Sequence, residues 1–133
     1  MQARGVTLIE MLIVVLLIGI LGAIAYPAYQ QYVLRSYRAE AVKTLLILAN
    51  RQEQRLADYG AYTADLAQLG FVQSLSESGR YRITVELTAG QFAYQLRVTA
   101  EGPQTQDRDC LRFSLNHLGQ RNHTLTEPLS CWN

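Results

Sequence analysis

The sequence lacks the residue patterns that mark most enzymes and most nucleic-acid-binding proteins. Charge of neither sign dominates, because 12 Lys and Arg residues are balanced by 11 Asp and Glu residues for a net charge of +1. This balance offers no basic surface to a phosphate backbone. There is no G-x-S-x-G nucleophile pattern, no glycine-rich phosphate loop and no cysteine spacing typical of a zinc knuckle. We therefore expect no enzymatic activity, no cofactor, no metal site and no nucleic-acid partner.

Apolar residues are concentrated near one end of the chain, whose 133 residues leave room for one modest domain. From Met11 to Leu34 the only ionisable side chains are those of Tyr26, Tyr29 and Tyr32, which are neutral at ordinary pH. As a helix this segment would be about 36 Å long at ~1.5 Å per residue, and ~30 Å suffices to cross the hydrocarbon core of a bilayer. The segment can therefore span a membrane.

Three interpretations of this apolar segment compete. A secretory signal peptide would be cut after the A-x-A site at 23–25 and would release a periplasmic binding module that begins at Tyr26. A plain transmembrane anchor is the second interpretation. Glu10, at the head of the apolar run, argues against both. Signal peptides favour neutral or basic residues at this position, and a carboxylate close to hydrocarbon is costly unless it is paired.

The third interpretation depends on the residues just before the apolar run, which are Gly5-Val6-Thr7-Leu8-Ile9-Glu10. This run resembles the type IV prepilin processing motif. The resemblance implies a leader of residues 1–5, removed by a prepilin peptidase/methyltransferase that cuts between Gly5 and Val6 and methylates the new N-terminus. Val6 departs from the phenylalanine most often found at that position.

The same resemblance implies a role for Thr7 and Glu10 in subunit assembly. In the family, the glutamate is thought to pair with the N-terminal ammonium of a neighbouring subunit. Methylation keeps that amine charged, and a buried carboxylate needs such a partner. Glu10 would be the fifth residue of the mature chain.

Residues 6–34 are predicted to form a hydrophobic helix that serves as membrane anchor and filament core. Gly19, Gly22 and Ala23 make a stripe of small residues, which either lets helices approach closely in lipid or reflects only how common glycine is in membrane helices. Pro27 lacks an amide hydrogen and would remove the bond to the carbonyl of Ala23. We predict that this stretch is the weak point of the helix, as it is in the pilins that the chain resembles.

Residues 35–60 are predicted to form the amphipathic second half of the same helix, which ends near Asp58 and is closed by Tyr59-Gly60. The predicted apolar face is Ala39, Val42, Leu45, Leu46, Ala49 and Leu56. Such a face requires a partner layer, so we expect it to pack on a sheet.

Residues 61–133 are predicted to form a globular β head. Alternating apolar residues predict three antiparallel strands at about 81–87, 92–99 and 111–115. The connections are predicted to be a loop at 60–79 with a helical turn at 63–66, and a polar loop at 101–109. The C-terminal stretch 119–133 shows little strand alternation, so it would be loosely held without a tether.

A bridge between Cys110 and Cys131 would supply that tether. It would contribute about 3 kcal/mol by loop closure, and a head exported to an oxidising compartment favours it. The alternatives are two free thiols, or a zinc site that also uses His117 and His123.

Further residues along most of the chain resemble PilE-type minor pilins of the type IV pilin superfamily. They are Arg35-Ser36-Tyr37-Arg38, Asn50-Arg51-Gln52-Glu53, Tyr62-Thr63, Asp65-Leu66, Leu69-Gly70, Asp109-Cys110, Phe113-Ser114-Leu115-Asn116, Leu118-Gly119-Gln120-Arg121 and Cys131-Trp132. The resemblance implies an α+β fold of the type IV pilin kind. In that fold a long N-terminal hydrophobic helix packs on a small antiparallel β-sheet with a C-terminal disulfide-bonded region.

The function implied by this resemblance is that of a minor pilin that helps to initiate pilus assembly and enters the fibre, in support of twitching motility and adhesion. Its partners would be other pilin and minor pilin subunits, the inner-membrane assembly platform and the prepilin peptidase. The chain would cross the inner membrane once, with the head in the periplasm, and would be extracellular after assembly. A type II secretion pseudopilin and a major pilin are the alternatives.

Overall fold

The computed structural model of the chain describes residues 5–133, so the predicted leader lies outside the described residues except for Gly5. The described chain contains one long helix, a three-stranded antiparallel sheet and two short 3₁₀ helices. It divides into two compact units, of which the first ends at Val33 and the second comprises Leu34–Asn133. The long helix contributes residues to both units.

Helix α1 spans Leu8–Tyr59 and includes Pro27. It begins after Thr7, whose hydroxyl accepts a hydrogen bond from the amide of Glu10 at 3.3 Å. It ends at Gly60, which has a φ of 74° and donates its amide to the carbonyl of Leu56 at 2.9 Å. A glycine in the left-handed region is a common helix C-terminus because it has no Cβ to clash. The predicted end of the helix at Tyr59-Gly60 is confirmed.

Within the second unit, α1 buries a face that differs in part from the predicted one. Of the predicted residues, Leu45 is buried, whereas Ala39 is exposed and Leu46 is 48% exposed. The residues that the helix buries are Leu34, Ala41, Thr44, Leu45, Leu48 and Gln52. The prediction is confirmed in part, because Val42, Ala49 and Leu56 also pack against the core while remaining partly exposed. It missed the apolar residues on the adjoining side of the helix and the two buried polar ones. Gln52 is buried because it forms two hydrogen bonds with the backbone of Thr63, donating to the carbonyl at 2.6 Å and accepting from the amide at 3.1 Å.

The sheet is formed by β1 (Tyr81–Thr88), β2 (Ala93–Ala100) and β3 (Arg112–Asn116), which pair antiparallel in chain order. The three predicted strands are confirmed, with small shifts at their ends. In β1, Tyr81 and Ile83 are buried while Arg82 and Thr84 are exposed, as the alternation predicted. The sheet therefore covers the helix with the predicted face.

The core of the second unit lies between α1 and the sheet. Its largest fully buried side chains include Tyr81, Phe113 and Leu45. The rings of Tyr81 and Phe113 meet edge to face with centroids 5.9 Å apart, and Phe113 makes a similar contact with Trp132 at 6.1 Å. Such aromatic pairs add about 0.5–1.5 kcal/mol beyond the burial of apolar surface. The C-terminal segment is thus tied to the sheet by packing as well as by a covalent bridge.

The connection between α1 and β1 differs from the prediction in one place. No helical turn forms at 63–66, and the hydrogen-bonded turn lies at 66–70 instead. The hydroxyl of Thr63 accepts a hydrogen bond from the amide of Asp65, and the carboxylate of Asp65 accepts one from the amide of Ala67. These local bonds satisfy the backbone without a helix, which is how Thr and Asp commonly act in turns.

The polar loop at 101–109 contains a 3₁₀ helix, Gly102–Gln106, and is partly buried. Gln104 is fully buried and donates a hydrogen bond to the carbonyl of Leu34 at 3.0 Å. Asp107 accepts two hydrogen bonds from the guanidinium of Arg38, at 2.6 and 2.7 Å, and this pairing raises the pKa of Arg38. These bonds connect the loop that follows β2 to α1 at Leu34 and Arg38.

The predicted bridge between Cys110 and Cys131 is present, which removes the alternatives of free thiols and of cysteine ligands for zinc.

The C-terminal stretch is also more ordered than predicted. It ends in a second 3₁₀ helix, Leu129–Trp132, and Asn122 is buried. The side-chain oxygen of Asn122 accepts hydrogen bonds from the amide of Ser114 at 2.9 Å and from the indole of Trp132 at 3.0 Å. Asn122 begins the sequence Asn122-His123-Thr124, which has the form of an N-glycosylation site, but its buried amide is not accessible in the folded chain.

We predict that the second unit loses stability in alkaline solution. Burial and the nearby carboxylate of Asp107 raise the pKa of Tyr81, and burial together with the charge of Glu53 raises that of Tyr94. Each folded-state pKa is above the unfolded value of 10.0. The neutral rings therefore stabilise the fold fully below that pH, and their contribution is lost as the pH rises toward the folded pKa. The free energy of unfolding should fall by up to ~1.4 kcal/mol per pH unit for each tyrosine above about pH 10.

The measurement is chemical unfolding of the full chain in non-ionic detergent, followed by the fluorescence of Trp132, at a series of pH values. Tyr81→Phe should remove one tyrosine's share of the alkaline loss, whereas Tyr59→Phe, at a position that is 73% exposed, should leave the curve unchanged. If the free energy of unfolding of Tyr81→Phe fell with pH as steeply as that of the parent chain, Tyr81 would not be a source of the alkaline loss.

Candidate functional site

The first unit presents an apolar surface to its surroundings along its whole length. In residues 8–32 every side chain is exposed, for example Leu8 at 80% and Ile24 at 68%. Helix α1 is long and apolar enough there to cross a membrane, and none of its most apolar window is buried within the chain. Exposed apolar surface on this scale marks a site of contact with lipid or with other proteins. We therefore take this unit as the candidate site for anchoring and association.

Thr7 and Glu10 lie at the N-terminus of α1. Besides the bond from the Glu10 amide to the Thr7 hydroxyl, the carbonyl of Thr7 accepts the amide of Met11 at 3.2 Å. The T-x-x-E spacing is that of a capping box, of which the structure shows the half in which Thr7 accepts from the amide of Glu10. Glu10 is exposed and forms no ion pair within residues 5–133. Its carboxylate is thus free to meet a cation, and its role in assembly remains a prediction.

Gly5 and Val6 precede the helix and adopt no regular secondary structure. Both are exposed, Val6 at 61%. A peptide bond at an exposed, non-helical position is one that a protease can reach, because cleavage requires an accessible extended backbone. The placement is compatible with cleavage between these two residues, which remains a prediction.

Gly19, Gly22 and Pro27 lie inside the exposed helix. A Cβ built on either glycine would meet nothing within 4 Å, so packing within the chain gives no reason for glycine there. The helix continues through Pro27, although the proline leaves the carbonyl of Ala23 without its usual donor. The three residues lie close together along the helix, and its predicted weakness at this point remains a prediction.

In the second unit, the structure reveals polar features that sequence reasoning missed. Four arginines lie over aromatic rings: Arg51 over Phe71, Arg55 over Tyr59, Arg80 over Tyr37 and Arg121 over Trp132, at 3.9–5.5 Å from the ring centroids. Only the second pair carries a sequence signal, because its members are four residues apart on one helix. The others join segments that are distant in sequence.

Five ion pairs neutralise much of the head's charge. They are Arg38–Asp107, Lys43–Glu77, Arg82–Glu101, Arg97–Glu86 and Arg112–Glu127. The first buries its carboxylate, whereas the second is largely exposed and contributes little to stability. Within residues 5–133 the remaining arginines form no ion pair.

Two family profiles match the chain. One, described as the type IV minor pilin ComP, DNA uptake sequence receptor, matches residues 27–114. The other, the prokaryotic N-terminal methylation motif, matches residues 1–26. The two matches meet between Tyr26 and Pro27 and together cover residues 1–114.

Several known fimbrial proteins are similar in sequence. The fimbrial protein EcpC of Eikenella corrodens is 41% identical over 90 residues, which cover 65% of this chain and 55% of that protein. The type IV major pilin protein PilE of Neisseria gonorrhoeae is 36% identical over 65% of this chain and 52% of its own length. The type IV major pilin protein PilA of Myxococcus xanthus is 35% identical over 85% and 52%. The chain thus spans about half the length of these relatives.

A solved structure is similar as well. It is that of a type IV pilin from Shewanella oneidensis, which matches with a TM-score of 0.54 and 25% identity over 71% of this chain and 97% of that chain. The likeness extends beyond sequence to the arrangement of helix and sheet.

The geometry of α1 generates a prediction about its backbone in an assembled filament. Amides between residues 19 and 26 should exchange hydrogen about fivefold to tenfold faster than those of 8–18 and 28–34. The reason is that the missing bond at Pro27, worth ~1 kcal/mol, and two flexible glycines lower the free energy of local opening. Hydrogen exchange with mass spectrometry on purified filaments measures this, and Pro27→Ala should slow the exchange. Equal protection across 8–34 would contradict the prediction.

Proposed function

Because this chain belongs to the type IV pilin family, we propose that it is a minor pilin, a structural subunit that is anchored in the inner membrane, helps to initiate pilus assembly and is incorporated into the fibre. The observation that carries this proposal is the exposed apolar helix that begins directly after the Gly5-Val6 motif, with Glu10 in its first turn. A membrane holds that helix before assembly, and the helices of neighbouring subunits hold it afterwards. The pilus would support twitching motility and adhesion.

The proposed processing fits a subunit that is first anchored in the membrane and then incorporated into the fibre. Prepilin peptidase removes residues 1–5 and leaves Val6 as a methylated N-terminus, in line with the match to the N-terminal methylation motif. The head crosses the membrane and enters an oxidising compartment, where the Cys110–Cys131 bridge forms. Sequencing of the mature N-terminus tests this step: a start at Val6 agrees with it, and a start at Tyr26 would instead indicate a module released by signal peptidase.

The minor role is supported by the family profile, which is that of a minor pilin. The sequence relatives named as major pilins favour the alternative of an abundant subunit. Mass spectrometry of purified pili with labelled reference peptides separates the two, because a minor pilin contributes only a small fraction of the subunits. A type II secretion pseudopilin would be absent from such pili.

Glu10 provides the sharpest test of assembly. In the proposal, its carboxylate pairs with the N-terminal ammonium of a neighbouring subunit inside the apolar filament core. Removal of one partner of a buried ion pair costs ~3 kcal/mol, or about a hundredfold in the equilibrium for incorporation. Glu10→Gln and Glu10→Ala should therefore both lower the amount of this subunit in sheared pili by that factor, as measured by quantitative mass spectrometry.

The two variants also separate pairing from helix capping. Glutamine serves in a capping box as glutamate does, so Glu10→Gln keeps the local role and loses only the charge. Normal incorporation of Glu10→Gln with loss of Glu10→Ala would reduce Glu10 to a capping residue. Glu77→Ala is the matched control, because it removes an acidic side chain that is 84% exposed on the head.

DNA binding is a second candidate function, and the match to the profile of a DNA uptake sequence receptor favours it. The balanced net charge argues against it, but the ion pairs leave Arg108 and Arg121 unpaired within the described residues while Arg112 is paired with Glu127. Unpaired arginines are the groups that can neutralise phosphates. This function would extend the role of the pilus rather than replace it.

If the head binds duplex DNA, affinity should fall steeply with salt concentration. Arg108→Gln and Arg121→Gln should each lower the slope of log affinity against log salt by about 1, because each removes one phosphate contact. Fluorescence anisotropy with a labelled duplex measures this, with Arg97→Gln as control because Arg97 already pairs with Glu86 at 3.6 Å. Binding too weak to detect at low salt would exclude the function.

A further inference from the structure

A cleft of about 590 Å³ lies between the end of α1 and the turn at 66–70 in the second unit. Its polar lining includes Arg51, Arg55, Asp58, Gln54, Gln68 and Tyr59. The volume is within the range of about 300–1,000 Å³ typical of small-molecule sites. We refer to it as the Arg51–Arg55 cleft.

The charges in the cleft are not balanced. Arg51 and Arg55 are four residues apart on α1, where two like charges destabilise a helix by a few tenths of a kcal/mol. Neither forms an ion pair within residues 5–133, although five other basic side chains of the head do. Asp58 is the one carboxylate that lines the cleft. Two guanidiniums and one carboxylate leave a net positive charge that an anionic ligand would neutralise.

Both guanidiniums are held in position before any ligand arrives. Arg51 donates a hydrogen bond to the carbonyl of Leu69 and lies 5.5 Å from the ring centroid of Phe71. Arg55 lies 4.7 Å from the ring centroid of Tyr59. Arginines that are already held lose little conformational entropy on binding, and their fork of donors fits two oxygens of a carboxylate or a phosphate.

The turn beside Arg51 has room for its guanidinium because residue 70 is glycine. A Cβ on Gly70 would overlap the terminal nitrogen of Arg51, and the φ of 77° also favours glycine there. The guanidinium thus occupies the space that any other side chain would fill.

Arg55 also has a donor that the chain leaves unused, because its Nε is buried and has no hydrogen-bond partner within residues 5–133. A buried donor without a partner costs about 1–3 kcal/mol. A ligand acceptor would recover this cost if the side chain of Arg55 turned Nε toward the cleft. The amides of Gln54 and Gln68 offer further donors and acceptors, of the kind that hydroxyl groups match.

We propose that the Arg51–Arg55 cleft binds an anionic sugar, with the phosphate or carboxylate on the two guanidiniums and the hydroxyls on the neighbouring amides. A hexose that carries an anionic group would fill more of the volume than a bare phosphate. Every residue that lines the cleft belongs to the second unit, so the proposal does not rest on the proposed role in filament assembly.

The test is isothermal titration calorimetry of the full chain in non-ionic detergent with four probes: glucose 6-phosphate, glucuronate, inorganic phosphate and neutral glucose. Saturable binding of glucose 6-phosphate or glucuronate, at least tenfold tighter than that of phosphate or glucose, is expected. The preference between the two sugars identifies the anionic group. Phosphate binding as tight as that of the sugar phosphate, or no saturable binding of either anionic sugar, would overturn the proposal.

Variants assign the binding to the cleft. Arg51→Gln and Arg55→Gln should each weaken it at least tenfold, while Arg121→Gln, which removes an arginine stacked on Trp132 elsewhere, should leave it unchanged. Asp58→Asn should strengthen it about threefold by removing a like charge, a gain that misfolding would not produce. Equal losses in all three arginine variants, or no gain with Asp58→Asn, would contradict the site.

Discussion

The structure depends on one constraint, that the first half of a continuous helix has no apolar partner among residues 5–133. Residues 8–32 are exposed, and their side chains are almost all apolar. At ~25 cal/mol for each Å² of apolar surface left in water, such a helix is strongly disfavoured in free solution. Such a surface requires lipid or other helices to cover it, and the proposed passage from membrane to filament would meet this requirement at each stage.

In contrast, the second half of the same helix is held by contacts within the second unit. Gln104 and Asp107 hold α1 at Leu34 and Arg38, and the apolar core begins one turn further on at Ala41. Desolvation of the ion pair between Arg38 and Asp107 costs free energy, and the two hydrogen bonds between these side chains offset part of that cost. Fastening at Leu34 means that loosening of the helix upstream, near Pro27, need not disturb the head.

Much of this fold could be predicted from sequence because the signals are local. Period-two alternation marked β1, and Tyr59-Gly60 marked the end of the helix. The apolar part of the buried face of α1 could be predicted in part, but Gln52 could not be, since it is buried by a bond to the loop at Thr63. The same limit applies to Gln104, whose partner Leu34 lies 70 residues away. A buried polar residue depends on distant partners that no local pattern reveals. For the candidate site, the motif predicted the residues, but the capping contact of Thr7 required coordinates.

The two roles of Glu10 can be weighed by magnitude. As a member of a capping box it contributes about 1 kcal/mol, and glutamine would do the same. A carboxylate at the edge of an apolar helix that enters lipid or a filament core costs several kcal/mol unless a cation compensates it. Capping alone therefore does not account for a charged residue at this position. The described chain offers Glu10 no ion-pair partner, so a compensating cation has to come from outside these residues, and in the proposed function it is the N-terminal ammonium of a neighbouring subunit.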